Sequence, residues 1–449
     1  MSSSAAATGM SSPGSSRRSS LDAACGCVWM AGTSPAMTAG RDSLQPIGSD
    51  WAPRRRSDEL TLRARPETLR AMKVFGSALA LIVVIALGAW LAFRFQPWAP
   101  EPRETDIADL TVVGEASARS LIGVQPWLEE TDYRSAEALG DRLGDYLERA
   151  AAESLIAEDT VVVFPEHVGT WLVAADGPRA VYAAETVTGA MTALIAARPL
   201  AFTSNWIGSG EEDRAAAGVF RMNAARMARD YQAVFSALAQ EYGVTIVAGS
   251  VVLPEPYVED GVLRVNRNGD LYNTAAVFDP DGAIRPDLVR KAYPIPSERP
   301  FTASASAADM PVFDTPLGRL GVLVCADSWH PDVYAALEDG GAEVLAVPAF
   351  LQGDDVWDEP WGGYTTPWPG DAPRSDAGRL TEGEAWTTHA LAGRIADTSA
   401  AAGLTTFLRG GLWDLGSDGR AIVSANGETR LGGDVEGGAI TALFLPDET

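Results

Sequence analysis

Three short motifs carry side chains able to do covalent or proton-transfer chemistry. Cys325 closes the apolar run Leu320-Gly321-Val322-Leu323-Val324 and is followed by Ala326-Asp327-Ser328-Trp329-His330-Pro331. A strand that runs into a sharp turn before a proline-started helix is the layout of a nucleophile elbow. It exposes the thiol and turns backbone N–H groups toward a developing oxyanion. The same residues also suit a small cysteine buried as a hydrophobe. Glu166 stands in Val163-Phe164-Pro165-Glu166-His167, directly after a short buried run, so its carboxylate is held at a strand end, where sites are commonly built. Pairing with an arginine is its plainer role. Lys291 lies in Val289-Arg290-Lys291-Ala292-Tyr293-Pro294, after a turn at Asp279-Pro280-Asp281-Gly282, and by itself reads as an exposed lysine.

Composition sharpens this set. Of 35 basic residues only two are lysines, Lys73 and Lys291. Arginine is a planar fork that keeps its proton, whereas lysine is a compact charge with a tunable pKa, so a site needing a point charge would retain lysine. The cysteines are Cys25, Cys27 and Cys325. The first two form a C-x-C pair with no second ligand pair after it, a weak metal motif. Cys325 is alone in the rest of the chain. Residues 110–449 hold 23 basic and 50 acidic side chains. Such a surface repels phosphate, which argues against nucleic acid as a partner; it suits solubility, salt adaptation or the steering of a cationic substrate.

The elements that must position these residues follow from periodicity. Residues 1–71, rich in Ser, Ala, Gly and Arg without a sustained apolar period, read as disordered or untranslated, with Met72 a second start. Val74 to Phe93 is continuously apolar or small, the length a helix needs to cross a bilayer. A basic flank from Arg54 to Lys73 precedes it and only Arg94 and Arg103 follow closely, so the positive-inside rule puts the N-terminus in the cytoplasm. No small-x-small site follows, although a cleavable signal is the alternative. The expected boundaries are 1–71, a signal-anchor helix over 72–95, a proline-bearing linker over 96–109 and a catalytic domain over 110–449.

Within that domain, strand and helix periods alternate. Helices are predicted over 136–152, 212–242, 331–337 and 384–401, and strands over 160–164, 244–253, 274–278, 320–324, 343–347 and 438–445. The alternation predicts a single α/β (α+β) domain.

Taken together, the motifs resemble the nitrilase superfamily of carbon–nitrogen hydrolases. The likeness rests on Phe164-Pro165-Glu166, on the stretch from Tyr272-Asn273-Thr274-Ala275 through Asp279–Gly282 before Arg290-Lys291, on the Cys325-Ala326-Asp327 elbow, and on Gly341–Ala349 as the following strand. It runs from about residue 110 to the end. It implies a four-layer αββα sandwich, here preceded by one transmembrane helix, and a homo-oligomer. It implies Cys325 as nucleophile, Glu166 as general base, Lys291 as oxyanion stabiliser and Glu298 beside the lysine. The chain departs from the pattern at Ala292-Tyr293, where His-Leu is frequent, and at Ala326, where an aromatic or acidic residue is frequent. Residues 351–378 look like an insertion; its Trp357, Trp361 and Trp368 are expected over the pocket mouth, or in a surface or dimer-contact loop.

The implied chemistry is hydrolysis of a non-peptide carbon–nitrogen bond in a small amide, nitrile or N-carbamoyl substrate, through a cysteine thioester and with no metal or organic cofactor. His167, Trp329 and His330 flank the site residues and are candidate substrate contacts, with structural hydrogen bonds the plainer role for the histidines. The alternatives are an acyltransferase of the apolipoprotein N-acyltransferase type and an inactive binding ectodomain. The first ordinarily carries several membrane spans where this chain shows one; the intact Glu, Lys and Cys argue against the second. The other expected partner is the membrane, through the apolar helix, with the catalytic domain on the outer (periplasmic or extracellular) face.

Overall fold

The computed structural model describes residues 66–447. Two six-stranded sheets lie face to face. The first is ordered Ile107–Val113, Gly438–Leu445, Arg119–Gln125, Asp159–Val163, Thr245–Val247, Val277–Phe278. The second is ordered Val312–Thr315, Gly318–Val322, Val344–Ala349, Ala402–Phe407, Ile422–Ala425, Glu428–Leu431. Central parallel strands are buried on both faces, which explains the unbroken apolar runs at Val161–Val163 and Val344–Val347. Between the sheets, Leu121, Val161, Val163 and Val247 share one core with Leu320, Val322 and Leu404. Gly123 permits the close approach, since a methyl there would meet the Leu404 side chain at 2.4 Å.

Helices cover both outer faces. α1 (Pro66–Phe95) precedes the domain. α2 (Ala136–Ala152) lays Leu139, Leu143, Tyr146 and Leu147 on the first sheet, after Ser135 caps it by accepting the Ala138 N–H. Three shorter helices follow: α3 (Arg179–Tyr182), α4 (Val187–Ala197) and α5 (Pro199–Gly208). The long α6 (Arg214–Tyr242) packs beside α2; Asp213 caps its start and Gly243, at φ +64°, ends it in the left-handed conformation glycine adopts freely. Behind the second sheet lie α7 (Pro331–Asp339), α8 (Glu382–His389) and α9 (Leu391–Arg394). There Gly321 and Gly403 make room for Leu337 and Leu391. The architecture is the αββα sandwich.

The structure differs from the periodicity in three informative places. The run 244–253 is two strands, Thr245–Val247 in the first sheet and Val251–Pro254 in a separate three-stranded sheet with Leu271–Ala275 and Val289–Arg290. The break falls at Gly249, φ +62°, where a methyl would sit 2.0 Å from the Pro165 carbonyl oxygen. The helix expected over 384–401 is interrupted at Ala390, whose extended backbone separates α8 from α9. Pairing with the first sheet begins at Ile107, opposite Gly438, three residues before the expected domain start at 110.

Within α1, Ser77–Phe95 is 19 residues of mean hydropathy 2.3 with no part of it buried. At 1.5 Å per residue this is about 28 Å, close to the thickness of a bilayer's hydrocarbon core. By length and composition, it is long and apolar enough to cross a membrane. Residues 1–65, including Cys25, Cys27 and the basic residues from Arg54 to Arg65, lie outside the described residues.

Candidate active site

Each candidate side chain leaves a different sheet. The strand Asp159–Val163 of the first sheet stays in register through Phe164, whose N–H bonds the Val247 carbonyl at 2.9 Å. Pro165 has no donor to continue the ladder, so the chain turns and delivers Glu166 to the sheet end. Lys291 directly follows Val289–Arg290 of the three-stranded sheet, and its N–H bonds the Asn273 carbonyl at 2.9 Å. Cys325 follows the second sheet, where the strand gives way to a 3₁₀ turn over Cys325–Trp329. Its φ is +50°, a left-handed backbone that costs a non-glycine residue energy and therefore needs surrounding support. The support is visible: Ser328 O–H donates to the Cys325 carbonyl at 2.7 Å, and Tyr334 O–H donates to the Ser328 carbonyl at 2.7 Å.

These elements bring Glu166, Lys291, Glu298 and Cys325 together in the interior, with relative exposures of 2%, 1%, 4% and 6%. Lys291 Nζ donates to Glu166 Oε1 at 2.7 Å and to Glu298 Oε2 at 2.6 Å. Asn273 Nδ2 spends its hydrogens on the same carboxylates, at 2.8 Å to Glu166 Oε1 and 2.7 Å to Glu298 Oε1. Glu298 Oε2 also accepts the Ile295 N–H at 2.9 Å, which locks the loop carrying it. Asp327 Oδ1 accepts the N–H groups of Ala292 (3.0 Å) and Tyr293 (2.8 Å) and so ties the cysteine elbow to the lysine loop.

The charges set one another. Burial alone would lower the Lys291 pKa, but Glu166 and Glu298 outweigh it and hold the ammonium well above its ordinary value. Burial opposes ionisation of Glu298 as well, and there Lys291 and His167 prevail and pull its pKa down. Burial raises the Cys325 thiol well above its ordinary value, and the Glu166 charge adds to that while Lys291 opposes it. The resting thiol therefore keeps its proton and requires a base at the moment of attack. Burial also raises Asp327 to about 7, against Lys291 and the two N–H groups.

A narrow cavity of about 30 Å³ reaches the carboxylates; Glu166, His167, Trp171, Phe220, Glu298 and Phe350 are among its walls. His167 lines it, with Nδ1 3.0 Å from Thr170 Oγ1 and Nε2 3.4 Å from Glu298 Oε1. Glu166, His167 and Glu298 present a ligand atom each within 4.8 Å of one another. Lys291 Nζ bonds both of these carboxylates, so the positive charge a metal would bring is already in place.

Trp329 and His330 take a different position. Trp329 is buried in one apolar cluster with Cys325, stacked on Trp361 at 5.7 Å and edge-on to Trp386 at 4.9 Å. His330 stacks on Tyr293 at 3.5 Å and hydrogen-bonds Thr366 at 2.8 Å; burial lowers its pKa to about 4. Neither lines the cavity. The tryptophans of 351–378 do not line this cavity: Trp357 and Trp361 are buried in one apolar cluster with Cys325, Trp368 packs against it, and of that segment Gln352 lines the cavity. Asn273 and Asp327 are site residues that periodicity does not reveal. Both lie inside motifs already quoted, and a polar residue facing a buried strand end was the available signal.

A family model described as carbon–nitrogen hydrolase matches residues 133–362, a stretch that contains Glu166, Lys291, Glu298 and Cys325. Among curated proteins, the chain is similar to a probable hydrolase, YhcX, of Bacillus subtilis, 29% identical over 150 residues, covering 33% of this chain and 26% of that protein. It is 32% identical over 107 residues to a citrullinase of Francisella tularensis, covering 23% and 34%, and 32% identical over 118 residues to an N-carbamoylputrescine amidase of Solanum tuberosum, covering 25% and 34%. The chain thus spans about a quarter to a third of the length of these relatives. Among solved structures, an amidase of Nesterenkonia sp. AN1 aligns with a TM-score of 0.43 at 16% identity, over 73% of this chain and 93% of that one. A carbon–nitrogen hydrolase of Helicobacter pylori G27 aligns with a TM-score of 0.44 at 18% identity, over 72% and 88%. With the family model matched over half of its length, this chain belongs to the carbon–nitrogen hydrolase family.

Proposed function

We propose that the protein hydrolyses a non-peptide carbon–nitrogen bond of a small amide through a thioester on Cys325. The observation that carries this reading is the buried set Glu166–Lys291–Glu298 gathered beside the lone cysteine of the domain, which stands on a strained elbow. Glu166 takes the thiol proton as sulfur attacks the carbonyl carbon. Lys291 Nζ and a backbone N–H next to Cys325 stabilise the oxyanion. Glu166 then passes its proton to the leaving nitrogen, and ammonia or an amine departs from the thioester. Water, deprotonated by Glu166, attacks the thioester; the acid leaves and the proton returns to sulfur. Glu298 and Asn273 hold Lys291 and Glu166 in place.

In the same reading α1 crosses the membrane and residues 107–447 lie outside it. The support is the exposed apolar helix and the basic flank before it.

The test is intact-protein mass spectrometry with a panel of small amides, together with an assay for ammonia release. The wild type is expected to show an acyl adduct that Cys325→Ala lacks, and Cys325→Ala is expected to lose at least about 10³-fold in turnover, as nucleophile deletions do. Full turnover in Cys325→Ala would defeat the reading. Products formed only when an amine acceptor is added would assign group transfer instead.

A further inference from the structure

The catalytic domain bears an uncharged apolar face that the proposed chemistry does not use. α5 (Pro199–Gly208) contains no Asp, Glu, Lys or Arg, although the domain around it is strongly acidic. One side of α5 holds it to the body, with Phe202 against α6 at Gly218. None of its ten residues is buried; the outward side shows Leu200 at 86% and Ile207 at 66% exposure, while Trp206, one turn after Phe202 on the side nearer α6, is still 42% exposed. Leu200 and Ile207, both more than half exposed on one short uncharged helix, mark an interaction face.

Its position relative to α1 indicates the partner. Trp90 of α1 donates its indole N–H to the Ala196 carbonyl of α4 at 2.9 Å. Ala196 is three residues before α5 begins. Trp90 lies five residues before Phe95, the domain-side end of the span, or about 7.5 Å along the helix axis. The corner between α4 and α5 is therefore held near the depth at which interfacial helices lie, about 5–10 Å into the boundary between headgroups and acyl chains. Tryptophan is the side chain enriched at that level, with an apolar body and a polar N–H, and Trp206 of α5 is 42% exposed.

We propose that α5 is a second membrane contact: an interfacial helix that lies in the lipid surface beside α1 and fixes the orientation of the catalytic domain on the bilayer. This rests on the reading of α1 as a membrane span. The absence of charge on α5 fits a hydrophobic attachment to zwitterionic lipid, because the acidic domain as a whole is repelled by anionic headgroups.

The experiment uses the full chain reconstituted in phosphatidylcholine vesicles, with Cys25→Ser, Cys27→Ser and Cys325→Ala as background. Single cysteines are placed by Leu200→Cys, Ile207→Cys, Val84→Cys or Leu431→Cys and labelled with a polarity-sensitive fluorophore. All four sites are exposed, so labelling does not require unfolding. At 200 and 207 the emission is expected to shift to the blue and to be quenched by lipids carrying a nitroxide high on the acyl chain. The label at 431 should show neither change and should be quenched by aqueous iodide. The label at 84 should be quenched by a nitroxide deep in the chain. Quenching at 84 with iodide-accessible labels at 200 and 207 would overturn the interfacial helix and leave the span standing. An iodide-accessible label at 84 would overturn both.

Discussion

On one side of Cys325 stand Glu166, Lys291 and Glu298, three buried charges joined by Asn273 through hydrogen bonds of 2.6–2.8 Å. A second group, Trp329, Trp357, Trp361, Trp386 and Phe407, packs in one apolar cluster with the same cysteine, with neighbouring ring centroids 4.9–5.9 Å apart. The first side is expensive to bury and is tolerable because Lys291 bonds both carboxylates and Asn273 donates to each of them. The second gains free energy from burial and asks only for shape. The elbow, held at positive φ, needs both. Packing and backbone bonds from behind pin the strained turn, and the charged side in front supplies the field that a developing oxyanion requires. The comparison teaches that substitutions behind the cysteine should be read in stability and those in front in rate.

The sharpest break of that division is Trp361→Ala. Trp361 is 3% exposed and touches Trp329, Tyr364, Trp368 and His389. Its truncation is expected to cost about 3–5 kcal/mol, as for large aromatic side chains in other cores, read as a lowered urea midpoint. Turnover per folded molecule should change far less. A large loss of kcat with an unchanged midpoint would erase the distinction.

Lys291→Arg tests the front. The charge is retained, but the planar fork fills the oxyanion space and cannot reproduce a point donor between two carboxylates. The expected loss is about 10²–10³-fold in kcat, the range for removing one oxyanion donor. Near-normal turnover would remove Lys291 from the mechanism.

The smallest effect concerns the bridge between the two sides. Asp327 is raised from 3.8 to about 7, chiefly by burial. A carboxyl whose folded pKa lies above its unfolded value binds its proton more tightly when folded. Its contribution to stability is therefore present at low pH and is lost as pH rises from about 4 through about 7. Glu298, held below its ordinary value, works in the opposite direction at lower pH, so the informative quantity is a difference between variants. Asp327→Asn keeps an acceptor for the Ala292 and Tyr293 N–H groups and removes the titration. Urea midpoints at the two ends of that window should show a downward slope in the wild type that the variant lacks; equal slopes would place the Asp327 titration elsewhere.

Much of the site was legible in sequence because its members sit at the ends of apolar runs. Each run predicts a strand, and a strand end is a defined place. Glu166 and Cys325 could be singled out in this way; Lys291, which ends no apolar run and by itself reads as an exposed lysine, was narrowed by the scarcity of lysine. Asn273 was quoted without a role, since a lone asparagine in a strand gives no sign of what it faces. Trp329 and His330 show the converse. Adjacency to Cys325 suggested contact with the cavity, but successive residues of a tight turn point in different directions, and neither of these two lines it. Residues 179–208 form three helices that no strong period announces, because short helices held by neighbours need little amphipathic signal of their own.

The sequence by itself determined the alternation of strands and helices, the apolar helix ahead of the domain, and the residue types available for acyl chemistry, since these depend on local pattern and composition. Tertiary structure alone decided that Glu166, Lys291 and Cys325, leaving three separate sheets, share one buried point, because only packing of the sheets can set a distance between positions 34 to 159 residues apart. It also decided that Gly249 must be a glycine. That requirement comes from the Pro165 carbonyl, 84 positions earlier in the chain, pressed against its α-carbon.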